Sequence, residues 1–507
     1  MVTLASTLES SADRVPERTA LVVGPDRYSY RELDEWVNRL AHTLARHGVG
    51  RGDRCAVMAP NCGGFIVALY AVAKLGAIFV PVNPRSAGPE VTHVLRDSGA
   101  AVLLVDPPLA EVGLAAAQES GTEVLALGPS AVVPDVLAEA EWAKETRLGT
   151  RIEESDDAAI LYTSGTTGYA KGVLMDHHRL IWTGVTVPIA TVGMTEGASL
   201  VHAAPLYHSG QLTMMLLPGT LLGATHVVLP GFDAATVLDT MERERTTIFF
   251  GVPTMYRLMV AEQARRPREL SAWSRGLFGA APMSPEDAAR MQATFSGVRL
   301  FSGYGLTETG PSGFFATPEE VAARPDVTGY RGYPLMTVRV VDPEGVDVGP
   351  GGVGEVLLGG ETAMKGYWQN PEATAQTMAD GWVRTGDVVR VDLDGGMTIV
   401  DRLKDMIISG GRNIYSIEIE NALSTHPGVA DCAAYGVPDE DFGESVVVLV
   451  TPAGEGAPTL EEIREHCSRS IADYKLPRRV EYGPVPRNPS GKILKRDLRT
   501  SLTAPRG

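Results

Sequence analysis

Apolar positions change period several times along the first hundred residues. Leu33, Val37, Leu40 and Leu44 recur at helical spacing, opened by a Ser29/Glu32 capping box and closed by Gly48. The run Cys55–Met58 predicts a strand, Phe65–Leu75 an apolar helix and Ile78–Val82 a second strand. A helix around Glu90–Arg96 and the run Ala101–Val105 follow. The same alternation resumes with Thr246–Phe250, a helix from Pro253, Gly276–Phe278, a helix after Ser284, and Val298–Phe301. Strands alternating with helices predict βαβ units and parallel sheets. From about Tyr333 the texture becomes short β runs, Thr337–Val341, Gly354–Leu358 and Met397–Val400, between Gly, Pro and Asp turns. Past Lys404 come helix Ile417–Ser424, β runs Val429–Tyr435 and Ser445–Val450, and helix Leu460–Ile471. The expected fold class is α/β. A large N-terminal domain, 1–401, carries parallel βαβ sheets and a β-rich subdomain, and a small α+β domain spans 402–507.

Composition narrows the chemistry. Of 507 residues, 44% are hydrophobic and 21% charged, which excludes wholesale disorder. The 62 acidic and 45 basic residues give a net charge of −17, which argues against general attraction to nucleic acid or anionic lipid. Phosphate recognition must therefore be local. The most apolar stretch, Phe65–Val82, is broken by Lys74 and Pro81 and reads as core, with no transmembrane segment expected. Residues Met1–Arg14 lack a basic and then apolar leader. Cys55, Cys62, Cys432 and Cys467 show no CxxC spacing, so free thiols and a cytoplasmic location are expected.

The strongest local signal is Leu161–Gly172, LYTSGTTGYAKG. Thr163, Ser164, Thr166 and Thr167 offer hydroxyls, Gly165 and Gly168 let backbone N–H groups approach an anion, and Lys171 adds a charge. That combination suits a polyphosphate. It is not a Walker A loop, because Lys171 precedes Gly172 and the chain runs on into the strand-like Val173–Met175. The loop resembles the phosphate loop of the adenylate-forming superfamily, in its acyl-CoA synthetase and fatty-acid or aryl-acid CoA ligase branch. Ala170 stands where that family usually has Pro.

Further motifs resemble that family in its own order. In Tyr304–Thr309, YGLTET, the resemblance implies that Tyr304 stacks on adenine beside Gly305, Thr307 contacts the α-phosphate and Glu308 helps hold Mg²⁺. Gly279, Ala280 and Ala281 match the adenine-side loop, and Asp387 in Trp382–Asp387 the carboxylate for the ribose hydroxyls. In Asp401–Asp405, Arg402 would reach ribose or phosphate and Lys404 would be the pivot of a mobile C-terminal domain. Gly410 and Gly411 match the loop lining the pantetheine tunnel of CoA; Ser416 then stands where the family often has Pro. The signature around Gly491 makes Lys492 the catalytic lysine, whereas Lys495 and Arg496 read as a solvated basic tail.

On the acyl side, Pro205–Gln211, PLYHSGQ, resembles a family segment that puts Tyr207 and His208 beside the substrate carboxylate. Gly251 and Thr254 would line another wall, and Gly303 leaves room. Pro205–Gln211 offers no carboxylate to pair an amino group, and no Arg or Lys occurs in 205–211, 250–254, 277–282 or 302–306, so an uncharged tail is expected. The resemblance implies ATP-dependent acyl-CoA synthesis through an acyl-adenylate. Lys492, Lys171, Thr307 and His208 would be catalytic, with ATP, Mg²⁺ and CoA required. Transfer to a carrier protein or another nucleophile stays open, as do a phosphotransferase and a noncatalytic ATP-binding protein. No nucleic-acid partner is expected.

Overall fold

The capping box forms. In the helix Tyr30–Arg46, Ser29 Oγ accepts from the Glu32 N–H, and the Glu32 carboxylate accepts from the Ser29 N–H at 2.7 Å. Its stripe Leu33, Val37, Leu40, Leu44 is buried. The protein is seen as a computed structural model describing residues 2–163, 170–281, 283–454, 456–487, 493–495 and 497–499. Strand Ile78–Val82 is buried at all five positions, because helices cover both faces of its sheet. No described helix is long and apolar enough to cross a membrane.

Two large sheets form the N-terminal region. One runs, edge to edge, Gly366–Tyr367, Lys171–Asp176, Asp157–Thr163, Ile78–Val82, Arg54–Met58, Val102–Val105 and Glu123–Ala126. The other has nine strands, with Arg275–Phe278, Ile248–Gly251, Ser199–His202 and Thr225–Val228 parallel at its centre. Both sheets are parallel through their centres, as expected, and carry antiparallel strands at their edges. Asp157–Thr163 pairs antiparallel with Lys171–Asp176, because so short a connection cannot make a crossover. Arg299–Tyr304 pairs antiparallel with Phe314–Ala316 for the same reason.

The β-rich part is a five-stranded antiparallel sheet in which Trp382–Val391 lies between Val353–Gly360 and Met397–Arg402. Beyond it, Ile407–Ser409, Arg412–Ile414, Val429–Asp439, Gly443–Pro452 and Arg479–Tyr482 form a separate sheet. Helices Ser416–Ser424 and Leu460–Cys467 accompany it; the second ends four residues before the expected Ile471. Gly410 and Gly411 join two strands as a two-residue hairpin turn with φ of +58° and +73°. A turn with both central residues in the left-handed region favours glycine at each.

Gly411→Ala should therefore destabilise the C-terminal region by about 1–2 kcal/mol, the cost of a left-handed non-glycine residue. Chemical denaturation of the full chain checks this; an unchanged midpoint would contradict the turn.

Candidate active site

Thr163 ends one strand of the seven-stranded sheet and Lys171 begins the next, so the sheet fixes both ends of the segment expected to bind phosphate. Thr163 Oγ1 donates to the Lys171 carbonyl at 3.5 Å. Ser164, Gly165, Thr166, Thr167 and Gly168 lie outside the described residues. Lys171 Nζ sits 5.0 Å from the centroid of the Tyr367 ring, a cation–π contact. The Tyr367 hydroxyl donates to Glu308 Oε1 at 2.8 Å. One tyrosine thus joins the phosphate-loop lysine to the carboxylate expected at Mg²⁺. Burial and Glu308 both push the Tyr367 phenol up, so it stays a donor. Among the described residues no three His, Cys, Asp or Glu side chains cluster as a metal site. A lone Glu308 carboxylate fits Mg²⁺ bound chiefly through phosphate oxygens.

Tyr304 closes strand Arg299–Tyr304, its ring 4.6 Å from that of Phe314. Its hydroxyl donates to Asp387 Oδ2 at 2.6 Å, and Arg402 Nε pairs with Asp387 Oδ1 at 2.7 Å. Asp387 is 3% exposed and lies within strand Trp382–Val391. Burial, then Asp387, holds the Tyr304 phenol well above its ordinary range. Gly279 abuts the strand end, since a Cβ there would stand 2.6 Å from the Gly303 carbonyl oxygen. Gly305 packs on the Pro311 backbone in the same way. Ala280 adopts φ +65°, a strained conformation of the kind concentrated at functional loops, and Ala281 beside it is exposed.

Thr307 opens a short 3₁₀ turn, and its Oγ1 lies 2.9 Å from Ser209 Oγ. That contact brings the acyl-side segment to the residue expected at the α-phosphate. His208 precedes Ser209, its ring 4.6 Å from that of Tyr207. His208 Nε2 is buried without a hydrogen-bond partner, and burial lowers the imidazole to about 4, so it is neutral. A Cβ on Gly210 would meet Phe250 at 3.2 Å and Met214 at 3.4 Å; one on Gly303 would meet the Tyr333 hydroxyl at 2.4 Å. A Cβ on Gly251 would meet Phe249 at 2.8 Å and Tyr256 at 3.4 Å, and Thr254 is exposed at its helix start. Behind the turn, Gln211 Nε2 lies 2.6 Å from His202 Nδ1, His202 Nε2 lies 2.9 Å from His226 Nδ1, and His226 Nε2 lies 3.2 Å from Thr220 Oγ1.

Lys404 is exposed just past the last strand of the antiparallel sheet, and Gly410 and Gly411 are exposed on the hairpin. Lys492 and Arg496 lie outside the described residues. Lys495 is a correction to the solvated reading. It is 8% exposed, with Nζ 2.7 Å from Glu420 Oε1 and bonded to Ser416 Oγ. A buried ammonium needs such partners, and they come from a helix about 75 positions earlier in the chain. Sequence reasoning passed over Tyr367, Tyr333 and Ser209 as individual site residues. A tyrosine meeting a partner across sheets has no local pattern to betray it.

Residues 8–368 match the AMP-binding enzyme family, and residues 418–492 match the AMP-binding enzyme C-terminal domain. The chain is 40% identical over 485 residues to a feruloyl-CoA synthase of an Amycolatopsis species, covering 96% of each. It is 35% identical over 487 residues to a long-chain-fatty-acid–CoA ligase of Mycobacterium tuberculosis, covering 94% of each. The crystal structure of an anthranilate CoA ligase in complex with anthranoyl-AMP matches with a TM-score of 0.91 at 26% identity, over 99% of this chain and 97% of that one.

Burial of several imidazoles makes stability depend on pH. His208 and His177 are lowered to about 4 and His226 to about 3, all by burial, and His202 lies well below 6.5. His47 opposes them: burial lowers it, but Glu139 and Glu123 outweigh that and raise it. The unfolded chain takes up these protons near 6.5 and the folded chain does not. Stability is therefore lost as pH falls below 6.5, by up to about 1.4 kcal/mol per pH unit for each imidazole. Melting temperature should fall between pH 6.5 and 5.0, where carboxylates are still mostly ionised. A flat profile there would contradict neutral burial.

Proposed function

The chain belongs to the AMP-binding enzyme family, and from that premise we propose how its residues activate a carboxylic acid. It is an AMP-forming acid:CoA ligase that uses ATP, Mg²⁺ and CoA. In the first half-reaction a substrate carboxylate oxygen bonds to the α-phosphorus of ATP, the bond from that phosphorus to the bridging oxygen breaks, and pyrophosphate leaves. In the second, the CoA sulfur bonds to the acyl carbon, the carbon–oxygen bond to AMP breaks, and the thiol proton is released.

The observation that carries the residue assignment is the 2.9 Å contact between Ser209 and Thr307. It joins the turn that would hold the acid to the hydroxyl that would hold the α-phosphate. In this reading Thr163, the 164–168 loop and Lys171 grip the phosphates. Asp387 holds the ribose, and Tyr304 with Gly279–Ala281 the adenine. The unpartnered His208 Nε2 faces the carboxylate. Arg402 steadies Asp387. Mg²⁺ on the phosphates beside Glu308 would neutralise charge. Lys492 would stabilise the charge built up on phosphorus, and Gly410 and Gly411 would admit pantetheine after rotation about Lys404. The boundary at 401/402 belongs to this reading, as does a cytoplasmic location, which suits four free cysteines.

The acid is proposed to have an uncharged aryl or aliphatic tail. The side chains nearest to a Cβ placed on Gly210 or Gly303 are Phe250, Met214, Tyr333 and Leu277, all uncharged. The aryl and fatty-acid names of the two relatives point the same way.

Three outcomes are expected. Incubation with ATP, Mg²⁺ and a carboxylic acid library should give AMP and pyrophosphate, with thioester only when CoA is added; ADP as the main product would refute the reading. Thioester formed instead on an added carrier protein would move the acceptor. Uncharged-tail acids should exceed amino acids and malonate by at least ~10²-fold in kcat/KM, because an unpaired buried charge costs several kcal/mol. Lys492→Ala should slow pyrophosphate release by roughly 10²–10³-fold and spare thioester formation from supplied acyl-adenylate. Equal loss of both would remove Lys492 from its role.

A further inference from the structure

Successive residues of a strand point to opposite faces, and the last two of Met397–Arg402 hold two different bodies. Arg402 reaches back to Asp387 in the neighbouring strand of the large region. Asp401 turns the other way. Its Oδ2 accepts from the Ser416 backbone N–H at 2.5 Å, and the Ser416 hydroxyl lies 2.8 and 3.0 Å from its two oxygens. Lys495 Nζ completes the chain by donating to Ser416 Oγ while paired with Glu420. Asp401 is 2% exposed, Ser416 0% and Lys495 8%.

The positions of these groups in the chain matter more than their number. Asp401 belongs to the antiparallel sheet, in register with Val388. Ser416 begins a helix of the C-terminal region. Lys404 lies between them. A second cation of the tail acts at the same place: Arg499 donates to the Lys404 carbonyl at 3.2 Å, to Asp405 Oδ1 at 3.3 Å and to the Asp405 carbonyl at 3.4 Å. Any rotation about Lys404 that carries the C-terminal region away must break the Asp401–Ser416 bonds.

We propose that Asp401, Ser416 and Lys495 form a latch across the hinge that holds the C-terminal domain in the orientation seen here. Ser416 and Lys495 are then positioning residues, which set how the enzyme divides its time between two half-reactions without touching substrate. The inference rests on the proposed domain alternation. Hydrogen bonds to a charged group are among the stronger ones, so losing the Ser416 hydroxyl should shift the balance between orientations by about tenfold.

The variant is Ser416→Ala, which keeps the backbone N–H bond and the helix. Pyrophosphate release and thioester formation from supplied acyl-adenylate are measured separately on the full chain, with a melting curve as a folding control. The expected result is a change of at least about fivefold in the ratio of the two rates, one falling while the other holds or rises. Proportional loss of both, or an unchanged ratio, would overturn the latch. A second readout needs no turnover. Dyes on Leu393→Cys and Glu461→Cys, both exposed and one in each region, should report altered energy transfer when Ser416→Ala is added. Unchanged transfer would also overturn it. Absence of AMP formation by the unmodified enzyme would instead refute the functional reading, and the energy-transfer result would still decide the latch.

Discussion

The buried carboxylate of Asp387 takes a phenol from one sheet and a guanidinium from its own. A charge only 3% exposed is costly unless both oxygens are satisfied, and Tyr304 and Arg402 satisfy them. That requirement fixes the end of strand Arg299–Tyr304 against strand Trp382–Val391, so the nine-stranded and the antiparallel sheets meet at a defined angle. It also fixes Arg402, and by the alternation of a strand it sets the direction of Asp401. The nucleotide-side loop, the subdomain and the start of the hinge are thus referred to one ion pair.

The acyl side is built differently. Behind Pro205–Gln211 lies a neutral network, Gln211, His202, His226 and Thr220, with no ion pair in it among the described residues. Burial keeps both imidazoles uncharged. Such a network fixes the turn while leaving no fixed charge beside an apolar wall, which suits an acid whose only charge is the reacting carboxylate.

Much of this was legible in the sequence because it is local. Ile78–Val82 matches the observed strand residue for residue, and helix and strand ends elsewhere moved by up to four positions. The Leu161–Gly172 motif and the YGLTET turn stood out in the sequence because backbone approach and hydroxyl donors demand particular residues at short range. What escaped depends on pairs far apart in the chain. Tyr367 meets Glu308 across 59 positions, and Lys495 meets Ser416 across 79. A lysine in a basic tail is usually solvated, and only the fold places a carboxylate and a hydroxyl around this one. Ser416 was noticed as a departure from a family pattern and Lys495 as part of a basic tail, but nothing in the sequence said that they touch.

Net charge sharpens the question of how this chain receives anionic partners. At −17 it repels ATP and CoA at long range, so attraction must come from cations held at short range. Lys171 rests on the Tyr367 ring and Arg402 on Asp387. Each is oriented by a protein partner before any phosphate arrives. An ammonium held over an aromatic face gives up little to turn toward a phosphate, and it sheds less side-chain entropy than a free lysine would. In the proposed reading, binding exchanges partners within a prepared set of charges, and electrostatic stabilisation of this kind requires little reorganisation when the reaction occurs.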